Sequence, residues 1–185
     1  LGHERIAFLS CGILDLMPIA ERYRAYREAM IHAGLKPMDA WVFGEPDQEI
    51  YSEMALRAFS ENDDSSVGEV ADLLKDRFDD ATAIVAINDN VALLTLKAAQ
   101  RLGISIPDDL SLTGFDDVDL VSYLPTPMTT VAQDYFAMGK AAAELVIERI
   151  EGCYSGPPRK VLLPTQLRVR ATTSVPRHVK QRLSD

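Results

Sequence analysis

Two acidic residues, Asp116 and Asp117, follow directly after the apolar run from Leu110 to Phe115. Such a run is typical of a buried parallel strand, and in open α/β sheets ligands bind where the strands end. The Asp116 carboxylate offers two acceptor oxygens that can bridge neighbouring hydroxyl groups of a ligand, and Phe115 offers an apolar wall. An isolated Asp-Asp pair more often only turns or caps the chain, so the prediction of a binding site depends on its surroundings.

Two other polar side chains fall at positions where they can join Asp116. Arg22 lies near the start of a predicted helix, and its guanidinium can hold hydroxyl groups or a carboxylate through two parallel hydrogen bonds. Asn88 ends a predicted strand, and its amide supplies both donors and an acceptor to a hydroxyl-rich ligand. Arg22 taken alone is equally well explained as an ordinary surface charge, like its neighbours Glu21 and Arg24.

Residue patterns typical of catalysis are missing from the sequence. The three histidines, His3, His32 and His178, are far apart along the chain. Ser10 is not part of a GxSxG nucleophile elbow, and Gly103 belongs to no phosphate-binding glycine pattern. We therefore predict that the chain is not an enzyme and that it holds no metal and no cofactor.

Composition and charge exclude further classes of protein. The 185 residues are 47% hydrophobic, which is enough for one core or for most of a two-lobed one. We predict a soluble cytoplasmic protein without membrane contact, because no apolar run approaches the ~20 residues of a bilayer span and no signal peptide begins the chain. The formal net charge of -9 argues against direct contact with nucleic acid. Cys11 and Cys153 are too few for a disulfide scaffold and are predicted to be free thiols.

Apolar segments with the spacing of strands alternate with segments that have the spacing of helices. The predicted strands are residues 5–10, 38–43, 81–87, 110–115, 129–131, 160–163 and 165–171. The predicted helices are residues 20–33, 49–59, 67–78, 90–102 and 133–150. This alternation predicts an α/β fold in which a parallel sheet carries helices on both faces.

Four motifs in one order resemble a known family. Gly114-Phe115-Asp116-Asp117 and the later Pro125 to Val131 are similar to the GYDD and PPLTT(I/V) signatures of the LacI/GalR family of bacterial transcription regulators. Three further segments are also similar to stretches of that family. Ala86 to Leu93 is similar to "aNDxxAlG", Arg101 to Ser111 to "elGlrVPeDvS", and Leu1 to Phe8 to "lGHrrIafi". Together they identify the chain as resembling that family over most of its length.

The resemblance implies a domain organisation. It predicts the effector-binding domain, of the periplasmic-binding-protein-like type I fold, and mostly its C-terminal lobe. Residues 1–131 would form that lobe, and residues 132–164 a hinge crossing with a helix and strand of a largely absent N-terminal lobe. Residues 165–174 would return as a final strand, and residues 175–185 would be a polar tail. The chain is accordingly expected to be a fragment without the family's N-terminal helix-turn-helix.

The resemblance also predicts which residues touch the effector. Arg22, Asn88 and Asp116 match positions that contact it in the family. In the loop after the second strand, Glu45 stands where family members often place an aromatic ring. A carboxylate at that position disfavours an anionic ligand and suits hydroxyls or an amine. Asp15 is the charged candidate of the loop after the first strand.

The function implied by the resemblance is that of an effector-sensing domain. It would bind a sugar or sugar-like small molecule between two lobes and shift the DNA affinity of a homodimer, with DNA contacted only through the missing helix-turn-helix. The alternative is a periplasmic sugar-binding protein of a transporter, which a signal peptide upstream would support. An enzyme would need a nucleophile, metal ligands or a phosphate loop at a strand end.

Overall fold

The strands that build the core are short and almost wholly buried. The computed structural model describes residues 1–11, 14, 17–43 and 65–177 of the chain. In these ranges the strands are β1 (Ile6–Cys11), β2 (Trp41–Phe43), β3 (Ala83–Ala86), β4 (Ser111–Thr113), β5 (Thr130–Ala132) and β6 (Gln166–Arg168). The first four form one parallel sheet in the order β2-β1-β3-β4. Strands buried on both faces have continuous apolar sequences, which is why these segments could be predicted.

Helices cover both faces of this sheet. They are α1 (Met17–His32), α2 (Ser65–Arg77), α3 (Asp89–Leu102) and α4 (Tyr135–Ile150). The connection from β1 to β2 crosses the sheet in one direction, and the connections from β2 to β3 and from β3 to β4 cross it in the opposite direction. Because such connections are right-handed, α1 lies on one face of the sheet and α2 and α3 lie on the other. The predicted α/β fold with helices on both faces is confirmed. The predicted helix at residues 49–59 lies outside the described residues.

The ends of the helices follow from local chemistry. Gly34 adopts a left-handed φ of 72° and ends α1, and Gly103 does the same for α3 with a φ of 71°. No helix in the described ranges is long and apolar enough to cross a membrane.

β5 and β6 form an antiparallel pair that continues the sheet beyond β4. The amide of Gly114 donates to Thr129 O at 2.9 Å, which joins the start of β5 to the end of β4. Thr172 then binds Leu112 from both sides, because its carbonyl accepts from the Leu112 amide at 2.8 Å and its hydroxyl donates to the Leu112 carbonyl at 2.7 Å. The chain after β4 and the chain near its end are therefore both fastened to β4.

Residues 160–163 do not form the predicted strand. They pair with no strand in the described part of the chain, and Leu162 is 79% exposed. An apolar, β-prone sequence forms a strand only beside an edge with free backbone groups. This segment meets none within the described residues, where β5 pairs with β6 on one side and bonds to the end of β4 on the other. The sequence pattern indicates strand propensity but does not indicate whether a neighbouring strand is present.

The helix α4 is likewise left uncovered by the described part of the chain. None of its residues is buried, and Phe136 and Ile150 are 83% and 79% exposed. An amphipathic helix normally gains its stability by covering an apolar face. In the described structure α4 follows β5 with its apolar face open.

Gly114 supplies the first prediction, because a Cβ placed there would lie 2.1 Å from Asp89 Oδ1 and 3.0 Å from Met128 Sδ. Gly114→Ala should lower the free energy of unfolding by about 1–3 kcal/mol through overpacking. Gly68→Ala in α2 is the matched control, since nothing lies within 4 Å of its Cβ position, and it should gain up to about 1 kcal/mol of helix propensity. Urea unfolding of both variants checks this, and equal stability of the two would contradict the packing described.

Candidate functional site

Arg22, on the first turns of α1, is held in one orientation by three contacts. Its Nη1 donates to Ile87 O at 2.7 Å, its Nη2 lies 3.5 Å from Asp116 Oδ1, and its guanidinium carbon is 3.9 Å from the centre of the Phe115 ring. A guanidinium has five N–H donors, so these contacts leave donors available for a ligand. The predicted grouping of Arg22, Phe115 and Asp116 is what the structure contains.

Asp116 occupies an unusual backbone conformation directly after β4. Its φ is 116° and that of Asp117 is 57°, values that residues with side chains rarely adopt. Asp117 is fixed by a salt bridge to Arg170, with Asp117 Oδ1 2.7 Å from the Arg170 Nη2. Asp117 thus has a structural role, and the turn directs the side chain of Asp116 towards Arg22 on the first turns of α1.

The two carboxylate oxygens of Asp116 differ in their surroundings. Oδ1 accepts from Gln133 Nε2 at 2.8 Å and faces Arg22. Oδ2 accepts no hydrogen bond from the described residues, although the side chain is only 24% exposed. One oxygen is therefore used to orient the group, and the other is available to a hydroxyl of a ligand.

Gln133 and Tyr135 belong to this site, and the sequence analysis did not identify them. Gln133 binds the Asp116 side chain, and the Tyr135 hydroxyl donates to the Asp116 carbonyl at 3.1 Å. Gln133 follows β5 in the predicted hinge crossing, and Tyr135 is the first residue of α4. These two residues could have been found only from the topology of the sheet, because the end of a strand next to β4 lies beside the end of β4.

Asn88 lies at the same sheet edge, but part of its side chain is used by the helix. Its backbone is extended (φ -156°, ψ 176°), and its Oδ1 accepts from Val91 N at 2.9 Å, which makes it the N-cap of α3. Only its Nδ2 donors are left for a ligand. Asp89 immediately precedes the predicted helix at residues 90–102 and could have been its cap from the sequence, but it is the first residue of α3 and its side chain is buried in the core.

The remaining predicted site residues, Glu45 and Asp15, lie outside the described residues. No group of three or more His, Cys, Asp or Glu that could hold a metal occurs in the described ranges. Beside the site, a cavity of about 590 Å³ lies between α1 and the sheet, and Arg22, Ile87 and Phe115 contribute to its lining.

The electrostatics of the site are set by partial burial. Burial raises the pKa of Asp116 above its usual value of 3.8, although Arg22 and Gln133 oppose that shift. Burial, together with the charge of Asp116, also raises the pKa of Tyr135. Arg22 and Asp116 together can bind a polar ligand. The fixed guanidinium donates hydrogen bonds, a carboxylate oxygen accepts them, and the partly desolvated environment strengthens both contacts.

Comparison with known proteins identifies the class. Residues 1–173 match the family described as periplasmic binding protein-like domain, and the chain belongs to that family. Within it, the resemblance to LacI-type transcription regulators is confirmed: the chain is 33% identical to the HTH-type transcriptional regulator CelR of Thermobifida fusca over 169 residues. It is 32% identical to the HTH-type transcriptional repressor PurR of Photobacterium profundum over 150 residues.

These relatives are longer than the chain. The matches cover 91% of this chain and 45% of CelR, and 81% of this chain and 40% of PurR. Among solved structures, a complex of the regulator CelR with cellobiose superposes with a TM-score of 0.74 at 32% identity, covering 92% of this chain and 47% of that one. A lac repressor dimer bound to operator superposes with a TM-score of 0.71 at 24% identity, covering 94% and 54%, and shows likeness of fold.

The raised pKa of Asp116 yields a prediction about stability and pH. A raised pKa means that the folded chain binds the proton more tightly than the unfolded chain, so Asp116 costs stability as the pH rises from 3.8 through the raised value. Asp116→Asn removes this titration, and Asn tolerates positive φ better than most residues. The free energy of unfolding of the native chain, minus that of the variant, should therefore fall over this window and then become constant.

Urea unfolding at a series of pH values measures this difference. Asp119→Asn, which removes an exposed carboxylate from the following turn, is the control for nonspecific effects of charge. A difference that rises with pH for Asp116→Asn would show that the Arg22 charge, rather than burial, dominates.

Proposed function

We propose that the chain is part of the effector-sensing domain of a LacI-type transcription regulator and that it binds a sugar at the Arg22–Asp116 site. The observation that carries this proposal is the Asp116 carboxylate. One of its oxygens is held by Gln133 and faces Arg22, while the other accepts no hydrogen bond from the residues that the structure describes. A sugar hydroxyl both donates and accepts, so adjacent hydroxyls can bind the free carboxylate oxygen and an Arg22 N–H at once.

Each predicted site residue takes a defined part in this proposal. Arg22 donates to the ligand, Asp116 accepts from it, and Asn88 donates through its free amide hydrogens. Phe115 acts through its contact with Arg22, because a guanidinium 3.9 Å from the ring centre is held by the ring. Glu45 and Asp15 remain expected contacts from the adjoining loops.

Two observations support a sugar as the ligand: the carboxylate in the site and the ligand of one solved relative. A carboxylate at the centre disfavours an anionic ligand, because the two negative charges would repel each other. The solved relative at 32% identity is a complex with cellobiose. A sugar is accordingly the class we propose, with cellobiose as the first compound to test.

The signal would pass from the ligand to the hinge through Asp116. In the domain division that we propose, residues 1–131 and 165–174 form one lobe, while the helix and following segment of residues 132–164 belong to another lobe and residues 175–185 form a tail. Gln133 and Tyr135 bind Asp116 directly and lie at or just before the start of α4, whose open apolar face would pack on the other lobe. A ligand that contacts both lobes would favour one arrangement and so shift a population of conformations.

DNA binding belongs to another part of the regulator in this proposal. The net charge of -9 does not suit a phosphate backbone, and the matched relatives are named as HTH-type proteins. A cytoplasmic location follows from that role. Because the matched relatives are named as transcription regulators, we favour this role over a periplasmic transporter component and over an enzyme.

A homodimer is the partner that we propose, and the chain offers a surface for it. Leu120 and Tyr123 are 51% and 84% exposed in the segment after β4. Immediately beside them, Leu124 and Pro125 line a cavity of about 510 Å³ together with Leu96 and other apolar residues of α3. Exposed apolar side chains next to an apolar cavity are typical of an interface.

The ligand proposal predicts binding that depends on Asp116. Cellobiose added to the ¹⁵N-labelled chain should shift the NMR signals of residues at the ends of β4 and β5, and NMR detects even weak binding by a single lobe. Asp116→Ala should weaken binding roughly 10- to 100-fold, as expected for loss of a hydrogen bond to a charged group. Asp119→Ala is the exposed control and should bind normally. Binding that survives in Asp116→Ala would move the site elsewhere.

The dimer proposal predicts concentration-dependent association through Tyr123. In sedimentation equilibrium the native chain should dimerise, and Tyr123→Asp should remain monomeric because a carboxylate would be buried in an apolar contact. Ile31→Asp is the matched control, since Ile31 is a 60% exposed apolar residue on α1, away from this surface. A native chain that stays monomeric, or equal weakening by both variants, would contradict the proposed interface.

A further inference from the structure

Asp89 is a buried carboxylate that sensing of a ligand does not by itself require. Its side chain is completely buried, and it forms no salt bridge within the described part of the chain. Its partners are neutral donors: the Thr130 hydroxyl donates to Oδ1 at 2.6 Å, and the Val118 amide donates to Oδ2 at 2.9 Å. A buried charge without a cation is costly, so a definite benefit must accompany it.

The bonds of Asp89 enclose the turn that carries the ligand-binding carboxylate. The Asp89 amide donates to Phe115 O at 2.8 Å, before Asp116, and its carboxylate accepts from Val118 N, after Asp117. Between these two points, Asp116 and Asp117 both have positive φ. A short segment with two residues in a disfavoured conformation persists only where its surroundings hold both of its ends.

The third bond adds β5 to the same arrangement. Thr130 begins β5, and Gln133 and Tyr135, which follow the end of that strand, bind Asp116. One carboxylate on α3 therefore fixes both the turn after β4 and the strand that leads to the hinge. The close approach of Asp89 Oδ1 to the Cβ position of Gly114, 2.1 Å, indicates that no side chain can intervene.

We infer that Asp89 is a positioning residue for the site, which holds the turn from Phe115 to Val118 so that the Asp116 carboxylate meets Arg22. Only its consequence for ligand affinity rests on the proposed function. A carboxylate suits this position because it accepts from two donors at once. An amide of the same shape keeps one acceptor oxygen for Val118 and presents donors to Thr130, whose hydroxyl can reverse its direction.

This difference in chemistry defines the test. Asp89→Leu keeps a branched side chain of similar shape and removes both acceptors, whereas Asp89→Asn keeps an acceptor for the turn. Thr95→Val is the matched control, because it removes another buried side-chain bond of α3, from Thr95 Oγ1 to Val91 O at 2.7 Å, without contact with the turn. If Asp89→Leu does not fold, Thr130→Val removes one of the two bonds more gently.

Two readouts separate positioning from general stability. Residual dipolar couplings and carbon chemical shifts of Asp116 and Asp117 report whether their φ angles stay positive, and titration with cellobiose reports affinity. We expect Asp89→Leu to lose the positive φ angles and to bind cellobiose at least about tenfold more weakly. Thr130→Val, which leaves the Val118 bond in place, should change both properties in the same direction but less. Asp89→Asn and Thr95→Val should keep both properties, even where thermal unfolding shows lower stability.

The possible outcomes are distinguishable. An unchanged turn in Asp89→Leu overturns the inference, and so does a changed turn that Thr95→Val produces equally. Lost affinity with an intact turn also overturns it, because Asp89 would then act by another route. A changed turn in a chain that never binds cellobiose supports the positioning role and counts against the proposed ligand.

Discussion

The geometry of the site depends on one backbone constraint, the turn of Asp116 and Asp117 at the end of β4. Both residues have positive φ, and this conformation sends the Asp116 carboxylate to Arg22 while Asp117 binds Arg170. Such a turn costs free energy by itself, so the hydrogen bonds and packing around it must outweigh that cost. β5, α3 and the segment after β6 all contribute, which explains why so many chain segments converge there.

The pair formed by Arg22 and Asp116 is best understood as a device for orientation. Its atoms are 3.5 Å apart, and its side chains are 27% and 24% exposed, so solvent weakens the attraction and its net contribution to stability is small. The guanidinium is placed more firmly by Ile87 O and the Phe115 ring. Groups held by several weak contacts are already arranged for a ligand and lose little entropy when it binds.

Much of this arrangement could be predicted from the sequence, for physical reasons that differ between residues. The strands were evident because their burial on both faces demands continuous apolar runs, and Asp116 was evident because it ends one. Asn88 and Asp89 could each have capped α3, and only the extended backbone at Asn88 decides between them. The contacts of Gln133 and Tyr135 depend on pairing between distant segments, which local patterns do not contain. Residues 160–163 show the converse, since strand propensity without a partner edge forms no strand.

The most direct test of the account is a crystal structure of the chain grown with cellobiose. We predict a sugar at the carboxyl end of β4, with one hydroxyl within hydrogen-bond distance of Asp116 Oδ2 and a neighbouring hydroxyl bound to an Arg22 N–H. Cellobiose bound at another surface, with the Arg22 and Asp116 groups making no contact with it, would contradict the central claim.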